Sequence, residues 1–189
     1  IKTLYPGHAS QMMHAFWGVG QMSFVKHAIF VNDDAPALTD HDGIIKYILN
    51  RIDIDDMLVS KGVIDALDHT SPKFAVGGKL GLDCTGDEIA ELGITILEDE
   101  DLLKRMQNIT NDVKNLKQYF TDTKNPITVI SVDKTRNQKF LFEDLKPLFG
   151  YIKILIIVDN AKNDVNNPYM LVWRVANNID SNRDLYIDD

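Results

Sequence analysis

Between Ser71 and Thr85 the chain reads Ser-Pro-Lys-Phe-Ala-Val-Gly-Gly-Lys-Leu-Gly-Leu-Asp-Cys-Thr, with three glycines around one lysine. Glycine lets the backbone take positive φ and approach a ligand closely, and an ammonium among glycines is a point charge suited to phosphate. Gly77, Gly78 and Lys79 are therefore candidate anion-contacting residues on a loop. A plain glycine-rich turn with a solvated lysine is the other reading of the same letters. The stretch is not a nucleotide P-loop. That motif needs a glycine where Lys73 stands and a hydroxyl where Leu80 stands, so a magnesium ion would lack its ligand.

Other chemistry-bearing residues are less organised. Asp33, Asp34, Asp40, His41 and Asp42 cluster, but without the spacing or closing glutamate of a calcium loop. They read as helix caps and solvated carboxylates, as do Asp159, Asn160 and Asp164 further on. His8 and His14 lie six apart, the wrong spacing for two ligands on one helical face. His8 follows Pro6-Gly7, where it could touch a ligand or cap the next helix. His69 and Cys84 flank the glycine stretch, and a Cys–His nucleophile pair would require the fold to bring them together. Trp17 and Trp173 sit in amphipathic segments and read as core.

Composition narrows the function classes. The 189 residues are 44 % apolar and 25 % charged, ordinary for one sizeable globular domain or one built from two halves. A net charge of −8 argues against nucleic acid or an anionic membrane as the main partner. The single cysteine excludes an internal disulfide and fits a cytoplasmic protein, with peripheral membrane attachment left open. Residues 1–5 read as a strand that starts at the first residue, so the chain is expected to be a fragment or excised domain of something longer.

The elements that must position these residues alternate. Strands are expected at 1–5, 27–32 and 57–60, with helices at 10–25 and 40–50. A helix is expected at 99–121, then strands at 127–132, 152–158 and 185–187, with helices at 138–149 and 168–177. A shift of 127 residues brings Lys26 onto Lys153, Ile29 onto Ile156, Val31 onto Val158, and Asn50-Arg-Ile-Asp53 onto Asn177-Asn-Ile-Asp180. The expected fold is α/β: a mostly parallel sheet with helices on both faces, built by internal duplication of a βαβαβ unit. Its parts are a first half at 1–88 carrying the glycine–lysine loop, a helical connection at 89–125, and a repeat-related half at 126–189. Ligands of such sheets sit at the carboxyl ends of the strands, here Tyr5–Ser10, residues 32–35 and the loop after Ser60.

Several stretches together, Tyr5-Pro-Gly-His-Ala9, Ile29-Phe-Val-Asn-Asp-Asp34, Ile45-Lys-Tyr-Ile-Leu-Asn-Arg-Ile-Asp53 and Gly77-Gly-Lys-Leu-Gly-Leu-Asp83, give a specific likeness. In this order the first half resembles the C-terminal domain of the UbiD-like carboxy-lyases, decarboxylases that use prenylated flavin mononucleotide. The second half looks like the extension of longer members. The resemblance implies non-oxidative decarboxylation of a small aromatic or unsaturated acid, in ubiquinone or menaquinone biosynthesis, by a homo-oligomeric full-length enzyme. It implies that the flavin, its metal ion and the catalytic residues belong to an N-terminal domain, so that this piece binds no metal, holds no catalytic residue and is inactive alone. It also implies that Lys79, with Gly77 and Gly78, meets the cofactor phosphate, and that Tyr5 and His8 line the pocket. The competing reading is a non-catalytic α/β assembly or regulatory module.

Overall fold

The computed structural model describes residues 1–188 and divides the chain into two units. One comprises Ile1–Ile89 together with Asn177–Ile187; the other is built on Ala90–Ala176.

In the first unit, α1 (His8–Gly18) and a 3₁₀ turn (Gln21–Phe24) precede β1 (His27–Val31), α2 (His41–Leu49), β2 (Met57–Val63) and β3 (Val76–Cys84). The helix expected over 10–25 breaks at Gly18 because Gly20 adopts a left-handed φ of 66°, which re-aims the chain into the 3₁₀ turn. Asp40 caps α2 as expected, its carboxylate accepting the Gly43 N–H at 3.1 Å. That capping, with the Asp42–Lys46 pair and the Tyr47 hydroxyl donating to Asp34, accounts for most of the acidic loop.

The three strands form one sheet in the order β1-β3-β2, with β1 parallel and β2 antiparallel to β3. The glycine–lysine stretch, expected as a loop, is thus the central strand. The connection from β2 to β3 carries no helix, so the chain returns antiparallel instead of crossing over. Residues 1–5 are not a strand: the Ile1 nitrogen donates to Val31 O and the Thr3 hydroxyl to the Asn32 side chain, but no ladder forms. A small apolar core of Ala9, Met13 and Phe30, flanked by Phe16, Trp17, Ala28 and Leu58, joins α1 to one face of the sheet.

The second unit holds α3 (Asp99–Ile109), β4 (Val113–Tyr119), β5 (Ile127–Val132), α4 (Gln138–Leu145), a 3₁₀ stretch (Lys146–Tyr151), β6 (Ile154–Asp159) and α5 (Pro168–Asn178). Segment 89–125 is therefore not a purely helical connection. Three acidic residues in its first turn favour the start of α3, and Leu102 and Met106 bury one face. Past Ile109 the turn at Thr110–Asp112 leads into β4, whose Val113, Leu116 and Gln118 are buried. The sheet runs β4-β5-β6, with β4 antiparallel and β6 parallel to β5. Leu102, Met106, Leu141 and Leu145 pack with Ile130 and Val132, while Leu171 and Val165 pack with Val129 and Val158. Sheet and helices alternate as the duplicated α/β reading requires, in two mixed sheets rather than one mostly parallel one.

The 127-residue shift carries through the elements. It brings β1 onto 154–158, α2 onto 168–176, and residues 8–18 and 21–24 onto 135–145 and 148–151. The repeat departs from expectation at its end. Residues 185–187 form no strand; the chain returns to the first unit through the short helix α6 (Ser181–Asp184).

Candidate functional site

Lys79 lies on β3 opposite Ser60 and has no solvent exposure. Its ammonium donates to the carbonyls of Ser23 (2.6 Å) and Val25 (2.7 Å), at the end of the 3₁₀ turn. Burial, followed by the repulsion of nearby Lys26, pulls its pKa down to about 8. The expected exposed cation is instead an internal plug that satisfies two backbone acceptors of the α1-side turn.

The glycines have packing reasons of their own. A Cβ on Gly77 would lie 2.7 Å from Ile64 Cδ1, and one on Gly78 would lie 2.7 Å from the backbone nitrogens of both Ser181 and Asn182. Gly81 makes room for Met13 and Trp17 of α1. Asp180, almost fully buried, accepts the Gly78 N–H at 2.8 Å and the Asn182 N–H at 3.0 Å.

Around this clasp sits a polar network that the sequence reading did not single out. Lys26 Nζ reaches Asp68 (2.8 Å), the Thr70 hydroxyl (3.0 Å) and Ile179 O (2.9 Å). Arg183 donates to Thr70 O at 3.1 Å. Burial raises the Asp68 pKa, but hydrogen bonds from Lys26 and Thr70 outweigh it and hold the carboxyl at about 2. Burial first, then Lys26, lowers the pKa of His27. The one signal that pointed here was the match of Asp53 with Asp180. In both copies the carboxylate closes an Asx turn, onto Asp55 N in the first and Asn182 N in the second.

Tyr5 and His8 lie at the other end of the sheet. Leu80, next to Lys79, pairs with His27 at the start of β1, whereas Thr3 bonds Asn32 beyond its end. Those ends are roughly 15 Å apart at strand spacing. The structure therefore does not bring Lys79 together with Tyr5 and His8. The Tyr5 and His8 rings stack at 4.8 Å, and the Tyr5 hydroxyl bonds Gln11. Below them Asn32 donates to Thr85 O at 2.6 Å, and the Thr85 hydroxyl donates to Asp83 at 2.6 Å. This is the carboxyl end of the parallel pair β1 and β3, where α/β sheets place their ligands. Tyr5 is 46 % exposed, so a ligand has access to it.

Burial, then the carboxylates of Asp83, Asp53 and Asp55, raises the pKa of nearby Asp56. Cys84 is fully buried and its thiol is pushed up to about 12 by burial and then Asp83, the opposite of an activated nucleophile.

A cofactor phosphate does not fit Lys79, Gly77 and Gly78 as they stand. Two of the three ammonium protons are bound to carbonyls, and the Asp180 carboxylate occupies the Gly78 N–H. Among the described residues no three His, Cys, Asp or Glu side chains are grouped to hold a metal ion, and no helix is long and apolar enough to cross a membrane.

The chain matches the family described as the 3-octaprenyl-4-hydroxybenzoate carboxy-lyase C-terminal domain over residues 1–84 and 94–189. Two proteins of Helicobacter pylori, from strains 26695 and J99 and both named "uncharacterized protein", are each 53 % identical to it over 188 residues. Those residues are 98 % of this chain but 30 % of either relative, so the chain spans just under a third of their length. The chain belongs to the 3-octaprenyl-4-hydroxybenzoate carboxy-lyase C-terminal domain family, the UbiD-like group.

Proposed function

We propose, from that membership, that these residues form the C-terminal, pocket-closing part of a decarboxylase acting on a small aromatic or unsaturated acid. In that reaction the bond to the carboxyl carbon breaks, carbon dioxide leaves, and a proton takes up the electron pair left on the substrate carbon. The observation that carries the reading is the family match along nearly the whole chain. The stacked Tyr5–His8 pair at the carboxyl end of the β1–β3 pair supports the placement of the pocket.

In this proposal prenylated flavin mononucleotide and its metal ion are bound by the polypeptide outside residues 1–189. The full-length protein is a cytoplasmic homo-oligomer serving quinone biosynthesis. Tyr5 and His8 present an aromatic wall to an aromatic substrate, which suits stacking and excludes water. One observation favours the alternative of a non-catalytic module: the only lysine of the glycine-rich strand is consumed internally.

The test is carbon dioxide release by the full-length protein loaded with its flavin. Tyr5→Ala and His8→Ala should each raise KM for the acid about tenfold, the equivalent of roughly 1.4 kcal/mol of binding. No release from any aromatic or unsaturated acid overturns the activity. Release with both variants kinetically unchanged overturns the pocket while leaving the activity standing.

A further inference from the structure

Strand β6 has one open edge, and the repeat says what belongs there. The Ile154 and Asn160 N–H groups donate to Pro126 O (3.2 Å) and Val132 O (2.9 Å), so even-numbered residues of β6 turn their backbone groups to β5. By the alternation of a strand, Leu155 and Ile157 turn theirs the other way, where no described strand lies.

In the equivalent strand β1, Lys26 O accepts from Leu80 N at 2.9 Å, so its even-numbered residues face β3. Its odd-numbered residues face residues 1–5, as the Ile1–Val31 bond records. The 127-residue shift turns odd into even. Residues 1–5 therefore correspond to β5, and the place that β3 fills beside β1 is the bare side of β6.

We infer that the free edge of β6 receives a parallel strand from the same polypeptide, outside residues 1–189. Three further observations support this occupant. The edge segment Ile154-Leu-Ile-Ile-Val158 is uncharged and free of proline, without the devices that normally blunt a solvent-facing edge. The helices on the two faces of the sheet both leave apolar side chains uncovered. On α4, Phe140 stands 127 residues after the buried Met13 that packs on Gly81 of β3, and it is 62 % exposed; on α5, Val172 and Trp173 are also exposed. Finally, the relatives hold more than two thirds of their length outside the matched region, enough to supply the strand. The contact is β-augmentation within one chain, with main-chain bonds giving affinity and apolar flanks giving register.

Residue-resolved amide hydrogen exchange on the full-length protein tests this. With the edge filled, the Leu155 and Ile157 amides should be protected to within about tenfold of Ile156 and Val158. Exchange at 155 and 157 about a hundredfold or more faster than at 156 and 158 would overturn the inference. So would protection that disappears on dilution to the monomer, since the strand would then come from a second copy. Protection that persists at every concentration is the expected result.

Discussion

The central strands of the two sheets have the same neighbours and opposite contents. Both β3 and β5 carry one parallel and one antiparallel partner. In β5, Ile127-Thr-Val-Ile-Ser-Val132, the strand's own branched side chains fill both faces and the helices bring leucines to meet them. In β3, Val76-Gly-Gly-Lys-Leu-Gly-Leu-Asp-Cys84, the strand withdraws and its neighbours come in. Met13 and Trp17 lie over Gly81, the backbone of α6 lies over Gly78, and Lys79 reaches out to close a turn. A sheet centre can thus be stabilised by what it contributes or by what it leaves room for. The second solution is the less forgiving, because backbone against backbone cannot repack.

The sharpest break in this comparison is Gly78→Ala. The new methyl would meet two backbone nitrogens at 2.7 Å, so α6 must lift and Asp180 must release its bonds. A loss of about 3 kcal/mol or more is expected in denaturant unfolding, against about 1–3 kcal/mol for the added methylene of Val129→Ile in β5. Equal costs would show that the two centres are built alike.

Lys79→Met comes next. It keeps the volume but strands the Ser23 and Val25 carbonyls, at a cost of about 1–3 kcal/mol. The pH dependence isolates the charge. The Lys79 pKa is about 8 when folded and 10.5 as the ordinary value, so between those values the unfolded chain binds more protons. The wild-type protein should gain stability as pH rises from 8 to 10.5, and the variant should lose that gain. A rise that persists in the variant assigns it to another group. Flavin content of the full-length variant addresses the phosphate contact implied by the family: normal retention means that Lys79 serves the fold alone.

Gly81→Ala should have the smallest effect. Its methyl meets the flexible end of Met13 rather than backbone, so about 1 kcal/mol is expected. A cost as large as that of Gly78→Ala would mean that α1 is as rigidly seated as α6.

These differences also explain what the chain's letters disclosed. Helix α2 announced itself through Asp40 and its isoleucines, and β1, β5 and β6 through short apolar runs, because their side chains carry the packing signal. In β3 the signal is an absence of side chain, and the same glycines that suit a phosphate loop also suit a strand overlaid by a helix. The Leu102–Leu116 spacing hid the change from α3 to β4, since three- and four-residue steps continue across a turn that only Thr110-Asn111-Asp112 marks. Tyr5 and His8 were legible as candidates through the family resemblance and as the end of an expected strand at 1–5, although that strand does not form. Lys26 was not, since its partners Asp68, Thr70 and Ile179 lie far away in sequence.

The first unit is discontinuous: Asp180 and Arg183, which fasten its sheet, are separated from the rest of it by the whole of the second unit. A chain made from its amino terminus must therefore finish in the reverse of its order of synthesis. Strands β4, β5 and β6 have all emerged from the ribosome once residue 176 is out, whereas the first unit waits with Gly78 uncovered until Ser181 and Asn182 are free. During that interval the glycine strand is exposed to chaperones and proteases, and translational pausing near residue 176 would prolong it.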